Sequence, residues 1–334
     1  MSNNQEFVSR VKGFILSKIL MAALEIDLFV QLDTDNLTFD DICSRLDLNR
    51  EIGHVFINVL EAFGYLCLKS GKYVLTARAR SIMPNYKNVK SWNEEMKVTY
   101  DSLVDFTQIL RTGNFKQSSL SAYWAYKKNL DPESIAPEVS RDYSLVMDAS
   151  QEEIARLIVK KIDFSSYSHL VDLGGGYGRF AIEIAKGYPN IKVTIVDLPS
   201  VCDETVRLIA QEGLGNRVSV IGADFFKGPL PKGADIVTFV RTLHDWGNEE
   251  VIKLLVQARS ILNSDGTILI SEPMNEDNQQ IDKSSALSSL MLSLMGGKRR
   301  KVSEYTDLLK SLGFGRITCI DLDFSIFKVI LGRH

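Results

Sequence analysis

The spacing of apolar positions changes partway along the chain. In the N-terminal part they recur at helical intervals: Phe14, Ile15, Ile19, Leu20 and Ala23, then Leu28, Phe29 and Leu32. Thr38 ahead of Phe39-Asp40-Asp41 reads as an N-cap with an acid at N3, opening a helix through Leu46. A second helix is predicted from Glu51 to Phe63, ending at Gly64. Tyr65–Leu68 and Lys72–Leu75, joined around Ser70-Gly71, form a hairpin pattern. Helices followed by a hairpin make a winged-helix arrangement. The middle of the chain reads as helical and rich in aromatic residues (Trp92, Tyr100, Phe106, Phe115, Tyr123, Trp124, Tyr126, Tyr143), mostly core with some available to line a pocket.

The second half alternates. Leu170–Leu173, Val193–Val196, Val218–Ile221, Ile236–Val240 and Ile268–Ile270 are short apolar runs separated by helical patterns, as expected of a mostly parallel sheet in an α/β fold. Ile317–Ile320 and Ser325–Leu331 are joined by a link too short for a helical crossover, which predicts an antiparallel edge. Domain boundaries follow: a winged-helix-like region over 1–85, a helical connector and acceptor-pocket segment over 86–165, and an α/β domain over 166–334.

With 334 residues, 45% of them apolar and 24% charged, the chain can bury a sizeable core without staples. Its 39 Lys and Arg against 42 acids give no basic field for nucleic acid. Within Asp35–Lys72 the balance is also acidic, so the winged-helix region suits packing or dimerisation better than a DNA groove. Cys43, Cys67, Cys202 and Cys319 are far apart and predict neither a metal site nor a disulfide framework. Gly13–Leu32, the most apolar stretch, carries Lys18, Glu25 and Asp27, so no membrane span is expected. With no secretory pattern at the start, a cytoplasmic protein is the expectation.

The strongest chemical signal is Val171-Asp172-Leu173-Gly174-Gly175-Gly176-Tyr177-Gly178-Arg179, where the first strand of the α/β region ends. Its spacing is Asp-x-Gly-x-Gly-x-Gly, and a dinucleotide fingerprint would need glycine where Arg179 stands. Asp197 falls at the end of the second strand, placed to accept both hydroxyls of a ribose. Gly222-Ala223-Asp224-Phe225-Phe226 follows the third strand and offers an acceptor for an adenine amino group beside an aromatic face.

These three strand ends resemble those of class I S-adenosylmethionine-dependent methyltransferases. Thr242-Leu243-His244-Asp245-Trp246 is similar to the His-Asp-Trp element of small-molecule O-methyltransferases of the caffeate and flavonoid type and their bacterial secondary-metabolite relatives. Ala23, Leu28, Phe29 and Leu32, with Gly296-Gly297-Lys298, extend the likeness over essentially the whole chain. The resemblance implies a Rossmann-like, seven-stranded, mostly parallel sheet with an antiparallel edge strand, and an N-terminal helical dimerisation domain. It implies a homodimer that uses S-adenosylmethionine, binds no metal and methylates a hydroxyl of a small aromatic or polyketide-like acceptor. His244 matches the general base and Glu272 a carboxylate flanking it. Asp172, Gly174, Gly176, Asp197, Leu198, Asp224, Phe225 and Arg241 match the cofactor site, and Met147 a methionine beside the acceptor.

Asp245 is expected to fix the turn or cap the helix entering at Asn248, since Asp is a capping type. The sequence departs from the family in Lys298-Arg299-Arg300-Lys301, where Arg299 takes the place of an acid. That run reads either as a solvated basic face or as a contact from Arg299 to an anionic acceptor. Methylation at carbon or nitrogen, another reaction on the same cofactor fold, and a ligand-sensing winged-helix regulator are the competing functions.

Overall fold

The computed structural model describes residues 3–113, 137–277, 280–323 and 326–334. It divides into two compact units, Met1–Val104 and Asp105–His334.

The first unit contains helices Asn3–Glu25, Leu28–Thr34, Phe39–Arg45, Arg50–Ala62 and Tyr86–Ser102, and a hairpin of β1 (Leu66–Lys69) and β2 (Lys72–Leu75). Thr38 and Asp41 form the expected capping box, each side chain accepting the other's backbone N–H. The next helix begins at Arg50, because the Asn49 side chain accepts the N–H groups of Glu51 and Ile52. Ser70 (φ 49°) and Gly71 (φ 77°) are both left-handed, the two-residue turn whose twist suits a hairpin. Leu28, Phe29, Leu32, Ile42, Ile57, Leu60 and Leu66 form the core.

The second unit is built on a seven-stranded sheet: β3 (His169–Leu173), β4 (Lys192–Asp197), β5 (Val218–Gly222), β6 (Ala234–Val240), β7 (Leu262–Pro273), β8 (Arg316–Asp321) and β9 (Phe327–Arg333). Their order is β5-β4-β3-β6-β7-β9-β8. β3 to β7 run parallel, while β9 lies antiparallel between β7 and β8, so the antiparallel pairing occupies one edge as expected. β7 is longer than its apolar run because its first residues, Asn263-Ser264-Asp265, are exposed and carry no hydrophobic signal. Glu272 consequently lies on β7 itself, opposite Lys328 of β9.

Apolar residues fill both faces of the sheet. Phe164, Phe180, Ile195 and Leu269 belong to one cluster, and Val237, Phe239, Leu254 and Tyr305 to the other. Chain order reverses beside β3, which is flanked by β4 on one side and β6 on the other. At such a switch point the loops leaving the two central strands part and open a crevice.

Trp92 is 56% exposed, so it is not core. Phe115, Tyr123, Trp124, Tyr126, the Tyr143 side chain and Ser325 lie outside the described residues.

Candidate active site

The β3 loop turns through three left-handed glycines, Gly174, Gly176 and Gly178. A Cβ on Gly174 would stand 2.7 Å from Thr242 Cγ2, so only glycine lets this loop close against the β6 loop. Nothing lies within 4 Å of a Cβ built on Gly176, so its backbone borders open space. Its N–H donates to Asp197 Oδ2 at 2.7 Å, and the Leu198 N–H donates to Asp197 Oδ1 at 2.7 Å. Each carboxylate oxygen thus takes one backbone donor and keeps acceptor capacity. Burial raises the Asp197 pKa, opposed by those two N–H groups.

Asp224 is held in the same way, its Oδ1 accepting from the Phe226 N–H at 2.9 Å. Phe226 stands edge-on to Trp246, with centroids 4.8 Å apart, and Phe225 packs against both rings. Met147, Gly174, Gly176, Asp197, Leu198, Asp224, Phe225, Arg241 and His244 all line one cleft of about 1030 Å³ counted out to open solvent.

Asp172 takes a different place. It lies buried beneath the loop, with Oδ1 accepting from the Thr238 hydroxyl at 2.6 Å and Oδ2 without a hydrogen-bond partner. A Cβ on Gly175 would fall 2.7 Å from that oxygen. Burial pushes the Asp172 carboxyl up to about 7, with help from Asp197.

His244 sits in a single 3₁₀ turn, Leu243–Asp245, just past β6. Its Nδ1 meets Oε2 of Glu272, which has no exposed surface. Glu272 Oε1 accepts the N–H groups of Thr242 at 2.8 Å and Leu243 at 2.6 Å, so one carboxylate holds both the turn and the ring. On the other side of the ring, Nε2 is 3.2 Å from Asp245 Oδ1. Burial works against the imidazolium, but the Asp245 and Glu272 carboxylates outweigh it and raise the His244 pKa. Asp245 therefore does not cap the following helix. That helix begins at Asn248 after Gly247, whose extended backbone makes the cap without a side chain.

Arg241, at the foot of this turn, has φ 59°, a strained value for a side chain with a Cβ. Its backbone N–H donates to Ser271 O at 2.9 Å and its Nη2 to Met147 Sδ at 3.3 Å. Asp148 and Gln151 share the lining with Met147, and Asp148 forms a two-point ion pair with Arg179. Sequence reasoning missed Asp148 and Gln151 in the lining, although Gln151 lies three and four positions after Asp148 and Met147 on one helix.

Within the basic run the two arginines are not solvated, whereas Lys301 is exposed. Arg300 has no exposed surface and Arg299 only 8%. Arg299 Nη1 donates to Ser288 Oγ at 3.1 Å and Ser285 O at 3.4 Å, while its Nε is buried without a partner. Arg299 is not among the residues lining the cleft.

A doubly wound sheet that gathers a glycine turn and two carboxylates at its switch point, facing a histidine, is the architecture of class I methyltransferases. The chain belongs to the O-methyltransferase domain family, whose model matches residues 117–315. It is an S-adenosylmethionine-dependent methyltransferase, and the open glycine loop with its two half-satisfied acids fits that cofactor. One relative is the 3-hydroxy-5-methyl-1-naphthoate 3-O-methyltransferase of Streptomyces sahachiroi, 28% identical over 92% of this chain and 88% of its own length. Another is the L-tyrosine C(3)-methyltransferase of Streptomyces lavendulae, 26% identical over 91% of this chain and 85% of its own. The fold matches the solved structure of PigF with SAH at a TM-score of 0.82, 23% identity and 100% coverage of both chains. Among the described residues, no helix is long and apolar enough to cross a membrane.

Proposed function

We propose that this methyltransferase acts on a hydroxyl of a small aromatic acceptor, with His244 as general base. The observation carrying this reading is the His244–Glu272 pair beside the cleft. A phenol with a pKa of about 10 becomes a better nucleophile as it loses its proton, and a histidine titrating near neutrality is suited to take it. Glu272 at Nδ1 fixes the ring so that Nε2 is the basic nitrogen. S-adenosylmethionine, when bound, supplies an electrophilic methyl on its sulfonium. The chain's own task is to bind, orient and exclude water.

In this reading Asp197 takes the ribose hydroxyls, Asp224 the adenine amino group and Phe225 the adenine face. Gly174, Gly176, Leu198 and Arg241 border the cofactor, and Asp172 supports the loop from below. Met147 packs beside the acceptor. A contact from Arg299 to an acceptor anion is the second reading of the basic run: it requires an acceptor that reaches past the cleft lining to the buried, unpartnered Nε, and the carboxylate in the naphthoate relative's named substrate is what supports it. The tyrosine C(3)-methyltransferase supports carbon as the second target.

The N-terminal unit is proposed to form a homodimer. Phe7, Val11, Phe14 and Ile15 form an exposed apolar stripe on its first helix. Sedimentation of Phe7→Glu and Phe14→Glu tests this, monomers being the expected result.

The test of the base is His244→Gln. Affinity for S-adenosylmethionine should be nearly unchanged, while turnover on an identified acceptor falls about 10²–10⁴-fold. Full activity at pH 7 would mean that His244 is not the base.

A further inference from the structure

The turn that carries His244 is poorly supported from within. Its internal hydrogen bonds are long: Asp245 N–H to Thr242 O at 3.4 Å and Trp246 N–H to Leu243 O at 3.2 Å. Glu272 grips it from the β7 side through N–H groups. The opposite side of the turn presents carbonyls, which need donors.

Arg300 supplies them. Its Nη1 donates to Leu243 O at 3.2 Å and its Nη2 to Trp246 O at 2.9 Å, carbonyls one residue before His244 and two residues after it. Nη2 and Nε also reach Asn248 Oδ1, at 3.0 and 3.3 Å, where the next helix starts. The His244 carbonyl is taken by the same segment, through Lys298 N–H at 2.7 Å. A Cβ on Gly297 would fall 2.5 Å from that oxygen, so only glycine allows the approach.

Burying a guanidinium is expensive unless something answers its charge. No carboxylate among the described residues lies within ion-pair distance of Arg300, so packing charge against charge is not what it does. Its planar fork of donors is spent on the two carbonyls flanking His244, its own segment and the following helix start.

We infer that Arg300 is a positioning residue for methyl transfer, clamping the His244 turn against Glu272 so that the imidazole keeps its reach into the cleft. This rests on His244 being the base. Arg300 touches neither the cleft nor the ring, so its action is on the geometry of the base and not on cofactor binding.

Arg300→Lys retains the charge but replaces the planar fork with a single ammonium on a different reach, and Arg300→Met removes charge and donors together. In each, SAH affinity by calorimetry should stay within about threefold, which also reports an intact fold and cofactor site. Turnover should fall about 10²-fold, the scale of a misplaced catalytic group. The acid limb of the pH–rate profile should move, since the ring no longer sits squarely between its two carboxylates. A purely structural loss would lower the active fraction and leave that limb in place. Finally, adding Arg300→Lys to His244→Gln should cost nothing further. Unchanged turnover, an unmoved limb, SAH affinity falling in proportion to turnover, or additive losses in the double variant would each overturn the inference. Failure of the base reading itself is distinct, because His244→Gln alone would then stay active.

Discussion

His244 and Asp245 are neighbours in the chain that also face each other in space, with Asp245 Oδ1 3.2 Å from the imidazole Nε2. The nitrogen assigned to the acceptor's proton therefore already has a carboxylate at its side, and that carboxylate acts with Glu272, against burial, to raise the His244 pKa. A base must be neutral to act, so the raised pKa places the acid limb of kcat/KM above the ordinary histidine range. Asp245→Asn removes the charge with little change of shape. The expected outcome is an acid limb shifted to lower pH, measured as a pH–rate profile against the wild-type chain. A limb that stays put would mean Asp245 does not tune the base.

Asp197 offers the cleft a carboxylate pre-organised by two backbone donors. Asp197→Ala should weaken S-adenosylmethionine binding by about 1–3 kcal/mol, the usual result of stranding hydrogen-bonding groups. Calorimetry reads this directly. Unchanged affinity would remove Asp197 from the ribose site.

Asp172 gives a prediction about stability. Its folded pKa is raised to about 7 by burial, well above that of an unfolded carboxylate. A group of this kind stabilises the fold fully below its unfolded pKa, and the contribution is lost as pH rises through the folded value. Asp172→Asn keeps an acceptor for the Thr238 hydroxyl and cannot ionise. Thermal melts should show the wild type losing stability between about pH 4 and 8, with the variant's slope flatter. Parallel slopes for the two chains would contradict the assignment.

Arg299 is tested on a pair of acceptors, a carboxylic acid and its uncharged ester. A charge-assisted contact is worth about 1.5–3 kcal/mol, so Arg299→Ala should lower kcat/KM on the acid by roughly tenfold or more and spare the ester. Equal losses on both would leave Arg299 as a packing residue of the Ser285–Ser288 helix.

Much of this site was legible in the sequence because its parts are local. Gly174 and Gly176, Asp197 and Asp224 each sit at the end of an apolar run that already read as a strand, and strand ends converge in a parallel sheet. Asp172 was less legible, since the spacing that marks the loop cannot say whether an acid faces the cleft or lies beneath it. The basic run was the least legible. Four consecutive cations read as solvated surface, yet Arg299 and Arg300 are buried because a folded turn presents them with carbonyl and hydroxyl acceptors. Those acceptors lie far away in sequence, and no local pattern announces them. Of the two expectations for Asp245, fixing the turn or capping the next helix, the capping one failed for a similar reason. Capping chemistry is a local rule, and the preference of Asp for a cap gave way to a histidine beside it.

The insertion of β9 between β7 and β8 sets an order of assembly. Gly176, Asp197 and Asp224 of the cradle stand at the ends of β3, β4 and β5, which follow one another along the chain, and the β6 loop that closes on Gly174 comes next. Glu272 is carried by β7, and its partner across the sheet, Lys328, comes from the far side of three intervening elements, two helices and β8. Such non-local pairing is slow to form, and β7 remains an open edge until it does. During refolding, affinity for the methyl donor should thus return before the histidine is seated. On that expectation, the two halves of one active site are separated in time by the path of the chain.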